Sequence, residues 1–134
     1  MIKTLITAAL FAMTATTANA DIIGKVDAKT LGTKVMTPEA LWAMGRISAS
    51  APSPDGKWVV YQVGYYSVKE NKSHHVLYII STDGGNATLL TVSADNETDP
   101  AWIEGGKRIA FLSNNGGSSQ LWSMNPDGTD RKKL

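Results

Sequence analysis

The stretch "APSPDGKWVVYQV" (residues 51–63) sets Pro-Asp-Gly directly before a run of aromatic and β-branched residues. In "SPDGK", Pro54 presets φ for the first central position of a type I turn and Asp55 suits the next. Gly56 takes the left-handed position that lets the chain reverse into a hairpin. The Asp-Gly pair returns at Asp83-Gly84 and at Asp127-Gly128, each time beside a strand-like run. Such punctuation marks either ordinary hairpins or a repeat.

The repeat is present. Residues 50–61, "SAPSPDGKWVVY", lie over residues 100–111, "PAWIEGGKRIAF", without a gap. Ala51 falls on Ala101, Gly56-Lys57 on Gly106-Lys107, Val59 on Ile109 and Tyr61 on Phe111. Further on, "LYIISTDGGNATLL" (77–90) lies over "LWSMNPDGTDRKKL" (121–134), so that Leu77 meets Leu121, Tyr78 meets Trp122 and Leu90 meets Leu134. The offset drops from 50 to 44, and the six extra residues of the first copy fall in the polar segment "SVKENKSH" (67–74). Insertions confined to one connection are what a repeat tolerates.

Each copy reads as four short strands, expected near 47–52, 57–65, 75–81 and 87–91, then near 99–103, 107–113, 119–125 and from 131. "EGGK" (104–107) is expected to turn as "SPDGK" does. Side chains alternate along a strand, so Val59, Tyr61 and Val63 share one face while Trp58 and Val60 share the other. Both faces carry apolar groups, as in sheets stacked between neighbours. Four antiparallel strands at a period in the forties predict an all-β fold. It consists of about two four-stranded antiparallel blades of a β-propeller, preceded by a signal peptide and a short helix. The alternative is an antiparallel sandwich with two similar hairpins.

The N-terminus carries Lys3, the apolar run "LITAALFAM" (5–13) and the small-x-small site Ala18-Asn19-Ala20. Residues 1–20 are expected to be a signal peptide cleaved after Ala20, its apolar run being too short to span a bilayer. Residues 21–46 form a leader and a short helix. In "MTPEALWAMGR" (36–46), Thr37 is the expected N-cap and Pro38 the first helical residue, with Glu39 in the first turn and an end at Gly45. Residues 47–134 are expected to hold the first two blades, truncated within the second.

The chain has 13 basic and 12 acidic residues and no cysteine. Without Lys3 the remainder is formally neutral, which gives no reason to expect nucleic acid or an anionic membrane as a partner. A disulfide scaffold is excluded, so stability must come from a packed core.

"TPEALWAMGRISASAPSPDGKWVVY" (37–61) and "GGKRIAFLSNNGGSSQLWSMNPDGT" (105–129) resemble exported serine peptidases of the prolyl oligopeptidase family. The dipeptidyl-peptidase V and acylaminoacyl-peptidase types are the nearest. The resemblance spans roughly residues 36–134, and the T-P-E-x-L helix joined directly to the first blade is its most specific part. It implies a propeller capping a C-terminal α/β-hydrolase domain of the same parent protein, which carries a Ser-Asp-His triad and acts on short peptides. No G-x-S-x-G nucleophile elbow occurs in this chain, and neither "GGSSQ" (116–120) nor "GYYS" (64–67) supplies one. No catalytic residue is therefore carried over; the expectation is a segment that gates access to a hydrolase domain. The alternative is a periplasmic TolB-like propeller acting as a protein-binding adaptor.

No cofactor or metal site is expected. His74 and His75 are adjacent on a strand and point to opposite faces, so they cannot chelate one ion; they read as solvated residues between loop and strand. "DNETD" (95–99) lacks the glycine and ligand spacing of a calcium loop. Glu70, Asp95 and Glu97 read as loop acids; the resemblance implies that an acidic propeller side chain can hold the substrate's amino group, but no motif selects one of them. Trp42, Trp58, Trp102 and Trp122 read as packing residues.

Overall fold

The computed structural model describes residues 22–26, 32 and 35–134; the expected signal peptide lies outside the described residues. Strands β1 (Arg46–Pro52), β2 (Trp58–Ser67), β3 (Lys72–Ser81) and β4 (Thr88–Leu89) form one antiparallel sheet in sequence order. Strands β5 (Glu97–Ile103), β6 (Arg108–Ser113), β7 (Gln120–Met124) and β8 (Lys132–Lys133) form a second in the same order. Before them, helix α1 (Pro38–Ala43) begins at Thr37, whose hydroxyl oxygen accepts from the Ala40 N–H at 3.2 Å.

All three Asp-Gly pairs close the same turn. The Gly56, Gly84 and Gly128 N–H groups donate to the carbonyls of Ser53, Ser81 and Asn125 at 2.9, 3.0 and 2.9 Å. Each glycine has positive φ, at 70°, 92° and 85°. "EGGK" differs: Glu104, Gly105 and Gly106 all have positive φ in a single 3-10 turn. It joins β5 to β6 as expected, but by another backbone path.

The six extra residues of the first copy do not enlarge its loop. The β2–β3 ladder runs on to Ser67 opposite Lys72, leaving only Val68–Asn71 as the connection. Asn71, at φ 48°, closes it by donating to the Val68 carbonyl at 3.3 Å. Both fourth strands pair over two residues, at Tyr78↔Leu89 and Ile79↔Thr88 and at Trp122↔Lys133 and Ser123↔Lys132. β8 thus covers the edge of β7 just as β4 covers that of β3.

The core lies between the sheets. Val60, Leu77, Ile79 and Leu90 of the first sheet pack against Ile109, Phe111 and Met124 of the second, flanked by Ala51, Trp102 and Trp122. Register shows which faces meet. Val60 opposes Ile79 and Gln62 opposes Leu77, placing these on one face; Ile109 opposes Met124 and Phe111 opposes Trp122. In the repeat, Ile109 and Phe111 correspond to Val59 and Tyr61, which lie on the other face of the first sheet. The sheets therefore stack front to back, in one sense. Among the described residues no helix is long and apolar enough to cross a membrane.

Candidate functional site

Glu97 is not a loop acid. It opens β5 and is 2% exposed, with its Oε2 accepting from the Thr91 hydroxyl at 2.8 Å. Arg131 closes an ion pair on Oε1 and also donates to the Leu90 carbonyl at 3.1 Å, its guanidinium 5.0 Å from the Phe111 ring centre. The Thr91 hydroxyl in turn accepts from the Leu77 N–H at 2.8 Å. Burial pushes the Glu97 carboxyl above its ordinary range, and Arg131 and Thr91 pull it only part of the way back. An acid so committed clamps the two sheets together, and its burial puts it out of reach of a substrate ammonium. The other two acids are apart from it in role: Glu70 is exposed in the β2–β3 connection, and Asp95 accepts from the Ser93 hydroxyl at 2.8 Å.

The histidines also depart from the expected solvated positions. His74 is fully buried within β3, its Nε2 donating to the Asp95 carbonyl at 3.1 Å. His75, half-buried, donates its backbone N–H to Asn96 Oδ1 at 2.8 Å, and its Nδ1 lies 3.2 Å from the same oxygen. Asn96 is held by Asn114, whose Oδ1 accepts its N–H at 2.7 Å. The pair anchors the linker between the sheets. Among the described residues no group of three His, Cys, Asp or Glu could hold a metal ion. The hydroxyls of Ser53, Ser67, Ser81, Ser93, Ser113, Ser118 and Ser123 bond carboxylates, backbone N–H groups, Gln120 or Arg108, and among the described residues no serine hydroxyl bonds a histidine. Among the described residues a nucleophile and its base do not come together.

The tryptophans divide. Trp102 and Trp122 pack against the core, the Trp102 indole N–H donating to the Ala51 carbonyl at 2.9 Å. Trp42 and Trp58 are 47% and 44% exposed and line concave surface instead. At the helix end, Trp42 meets Tyr66 edge to face at 6.1 Å, and the Arg46 guanidinium lies 5.0 and 4.9 Å from the two ring centres. Two adjoining cavities of about 460 and 370 Å³ share Trp42, Tyr66, Ser67 and Val68. At the opposite, turn-bearing end, Trp58 and Pro126 line two cavities of about 210 and 370 Å³ along the seam between the sheets. These surfaces can pack or bind; they carry no constellation for bond cleavage. The sequence signal for the clamp was available: Glu97 falls on Ile47 in the repeat, so a carboxylate occupies an apolar position.

No family model matches the chain. It is 40% identical over 111 residues to dipeptidyl-peptidase 5 of Porphyromonas endodontalis, covering 83% of this chain and 16% of that protein. It is 46% identical over 86 residues to dipeptidyl-peptidase 5 of Porphyromonas gingivalis, covering 64% of this chain and 13% of that protein. The chain thus spans about a sixth or less of these relatives. Among solved structures, the acylaminoacyl peptidase of Pyrococcus horikoshii aligns with a TM-score of 0.56 at 20% identity, over 68% of this chain and 14% of that one. A protein of Agrobacterium tumefaciens assigned to TolB aligns with a TM-score of 0.52 at 22% identity, over 76% of this chain and 31% of that one. At these identities the structures speak for a shared propeller-like fold alone.

Proposed function

We propose, for a chain that belongs to the prolyl oligopeptidase family of peptidases, that it is a non-catalytic propeller segment of an exported dipeptidyl peptidase. The observation that carries this reading is the identity of 40% over 111 residues and 46% over 86 residues to two dipeptidyl peptidases. Hydrolysis in this reading belongs to a C-terminal α/β-hydrolase domain of the parent protein. There a serine attacks the peptide carbonyl, a histidine takes its proton and an aspartate orients the histidine. The two sheets act sterically: they are the first blades of a ring that admits short peptides and turns folded proteins away. The absence of any nucleophile–base pair among the described residues supports such a division of labour. Export rests on Lys3, the apolar 5–13 run and the Ala18-Asn19-Ala20 site.

A TolB-like adaptor has the structural alignment in its favour, and that alignment is about as good as the one to the acylaminoacyl peptidase. Sequence identity at the level found for the dipeptidyl peptidases favours the peptidase. The coding sequence beyond Leu134 tests the reading. A frame of several hundred codons holding G-x-S-x-G, then Asp, then His supports it; a continuous frame of that length without the elbow overturns it.

A further inference from the structure

The β6–β7 connection, within "SNNGGSSQ" (113–120), carries the chain's one Asn-Gly pair, Asn115-Gly116. Gly117 donates its N–H to the Asn114 carbonyl at 2.9 Å, so Asn115 and Gly116 are the central residues of a turn. Asn115 is exposed, and nothing lies within 4 Å of where a Cβ on Gly116 would stand. The Asn115 main-chain N–H donates to the Ser113 hydroxyl at 3.2 Å, but among the described residues neither its side-chain amide nor the Gly116 N–H makes a hydrogen bond. A side-chain carbonyl and the nitrogen that can attack it thus adjoin, both uncommitted and open to water. Asn71 and Asn86 are also exposed, but Lys72 and Ala87 follow them, and a side chain there crowds the nitrogen. The Asp-Gly turns are protected in another way. A carboxylate is a poor electrophile, and those of Asp55 and Asp127 are tied to the Ser53 and Thr129 hydroxyls.

We propose that Asn115-Gly116 is a spontaneous deamidation site, where asparagine becomes aspartate and isoaspartate with water as the co-reactant. The Gly116 nitrogen, deprotonated by hydroxide, bonds to the Asn115 Cγ; the Cγ–Nδ2 bond breaks and ammonia leaves. Water then opens the cyclic imide at either carbonyl. Opening at the side-chain carbonyl leaves aspartate, and opening at the main-chain carbonyl routes the backbone through the β-carboxyl as isoaspartate. Closing the imide requires turning the Asn115–Gly116 peptide, which gives up only the turn hydrogen bond from Gly117. The product bears on the linker between the sheets. Asn114 accepts the Asn96 N–H on its Oδ1 at 2.7 Å and donates its own N–H to the Asn96 carbonyl at 3.3 Å. Isoaspartate adds a negative charge and lengthens the main chain by a methylene beside that staple, so it loosens the hold of the turn on the linker.

Timed incubation of the full-length product of the gene in heavy-oxygen water, followed by peptide mass mapping, tests this. Fragment ions are expected to place the amide-to-acid mass gain, with heavy oxygen, on Asn115 and not on Asn71 or Asn86. An isoaspartyl methyltransferase is expected to methylate the product, and conversion is expected to quicken as pH rises. The fold sets one hydrogen bond against the reaction, so conversion should run within about tenfold of its rate in a free peptide of residues 109–131. Asn115→Gln keeps an amide but needs a larger ring, and residue 115 is then expected to stay unconverted; Asn115→Ser replaces it if that variant does not fold. Hydrogen exchange at the Asn96 N–H is expected to quicken in the aged wild-type protein and not in the aged variant. An Asn115 that keeps its amide, a slowing beyond about tenfold against the peptide, equal conversion at Asn71 or Asn86, or unchanged exchange at Asn96 overturns the proposal.

Discussion

Leu77 and Leu121 hold the same place in the two sheets and meet opposite surroundings: Leu77 is fully buried at the junction, whereas Leu121 is 47% exposed. The difference comes from stacking order alone, because the local sequences are alike. Leu77→Ala is therefore expected to cost about 2–5 kcal/mol, the lost transfer energy plus a cavity. Leu121→Ala in this chain is expected to cost about 0.5 kcal/mol or less. Urea denaturation of both variants measures the contrast.

The Glu97–Arg131 pair ties the Thr91 linker to β5 and to the approach to β8. Removing one partner strands a buried charge, so Arg131→Met is expected to destabilise by about 3–5 kcal/mol. Replacing both, as Glu97→Leu with Arg131→Met, is expected to recover most of that loss, because a packed apolar pair costs no desolvation. A double-mutant cycle by chemical denaturation gives the coupling.

At Gly56 (φ 70°) nothing lies within 4 Å of an added Cβ, so substitution there probes the backbone alone. Gly56→Ala is expected to cost about 1–2 kcal/mol, the penalty of a left-handed L-residue. Gly56→Asn is expected to cost less, since asparagine tolerates that region. Thermal denaturation of the two variants against wild type decides it.

Asp55 and Asp127 both sit inside the Asp-Gly turns. Asp55 accepts from the Ser53 hydroxyl at 2.5 Å and the Lys57 N–H at 3.1 Å; Asp127 accepts from the Thr129 hydroxyl and N–H at 2.6 and 3.0 Å. These hydrogen bonds hold both carboxyls below the ordinary value of 3.8. The folded state thus binds these protons less readily than the unfolded chain. Their stabilisation is complete above the ordinary value and is lost as pH falls from there through the depressed folded values. Melting temperature should fall over that acid range, and Asp55→Asn with Asp127→Asn should flatten this part of the profile. An unchanged acid limb in the double variant would show that the turn carboxylates contribute nothing.

The repeat was legible because its signals are local: turn chemistry fixes Ser53–Gly56, Ser81–Gly84 and Asn125–Gly128, and alternation fixes which side chains share a face. The clamp was not read, because the partners of Glu97 lie at Thr91 and 34 residues away at Arg131, and meet only through stacking. His74 was misplaced for a related reason. "NKSHH" is polar enough to read as loop, but the ladder to Lys72 takes it into β3, where the Asp95 carbonyl accepts from its Nε2. Trp42 and Trp58 look alike in sequence to the packed Trp102 and Trp122; only the positions of the neighbouring elements leave them open.

The most direct measurement of the central claim, that the sheets carry no chemistry and serve a peptidase whose nucleophile lies elsewhere, is covalent labelling. A fluorophosphonate probe that captures activated serines is applied to this chain and to the full-length product of its gene, and dipeptidyl-nitroanilide turnover is followed alongside. The account predicts an unlabelled chain at background turnover and a full-length protein that labels on a serine beyond residue 134. Labelling of any serine within this chain, or a full-length protein that neither labels nor turns over dipeptides, would contradict it.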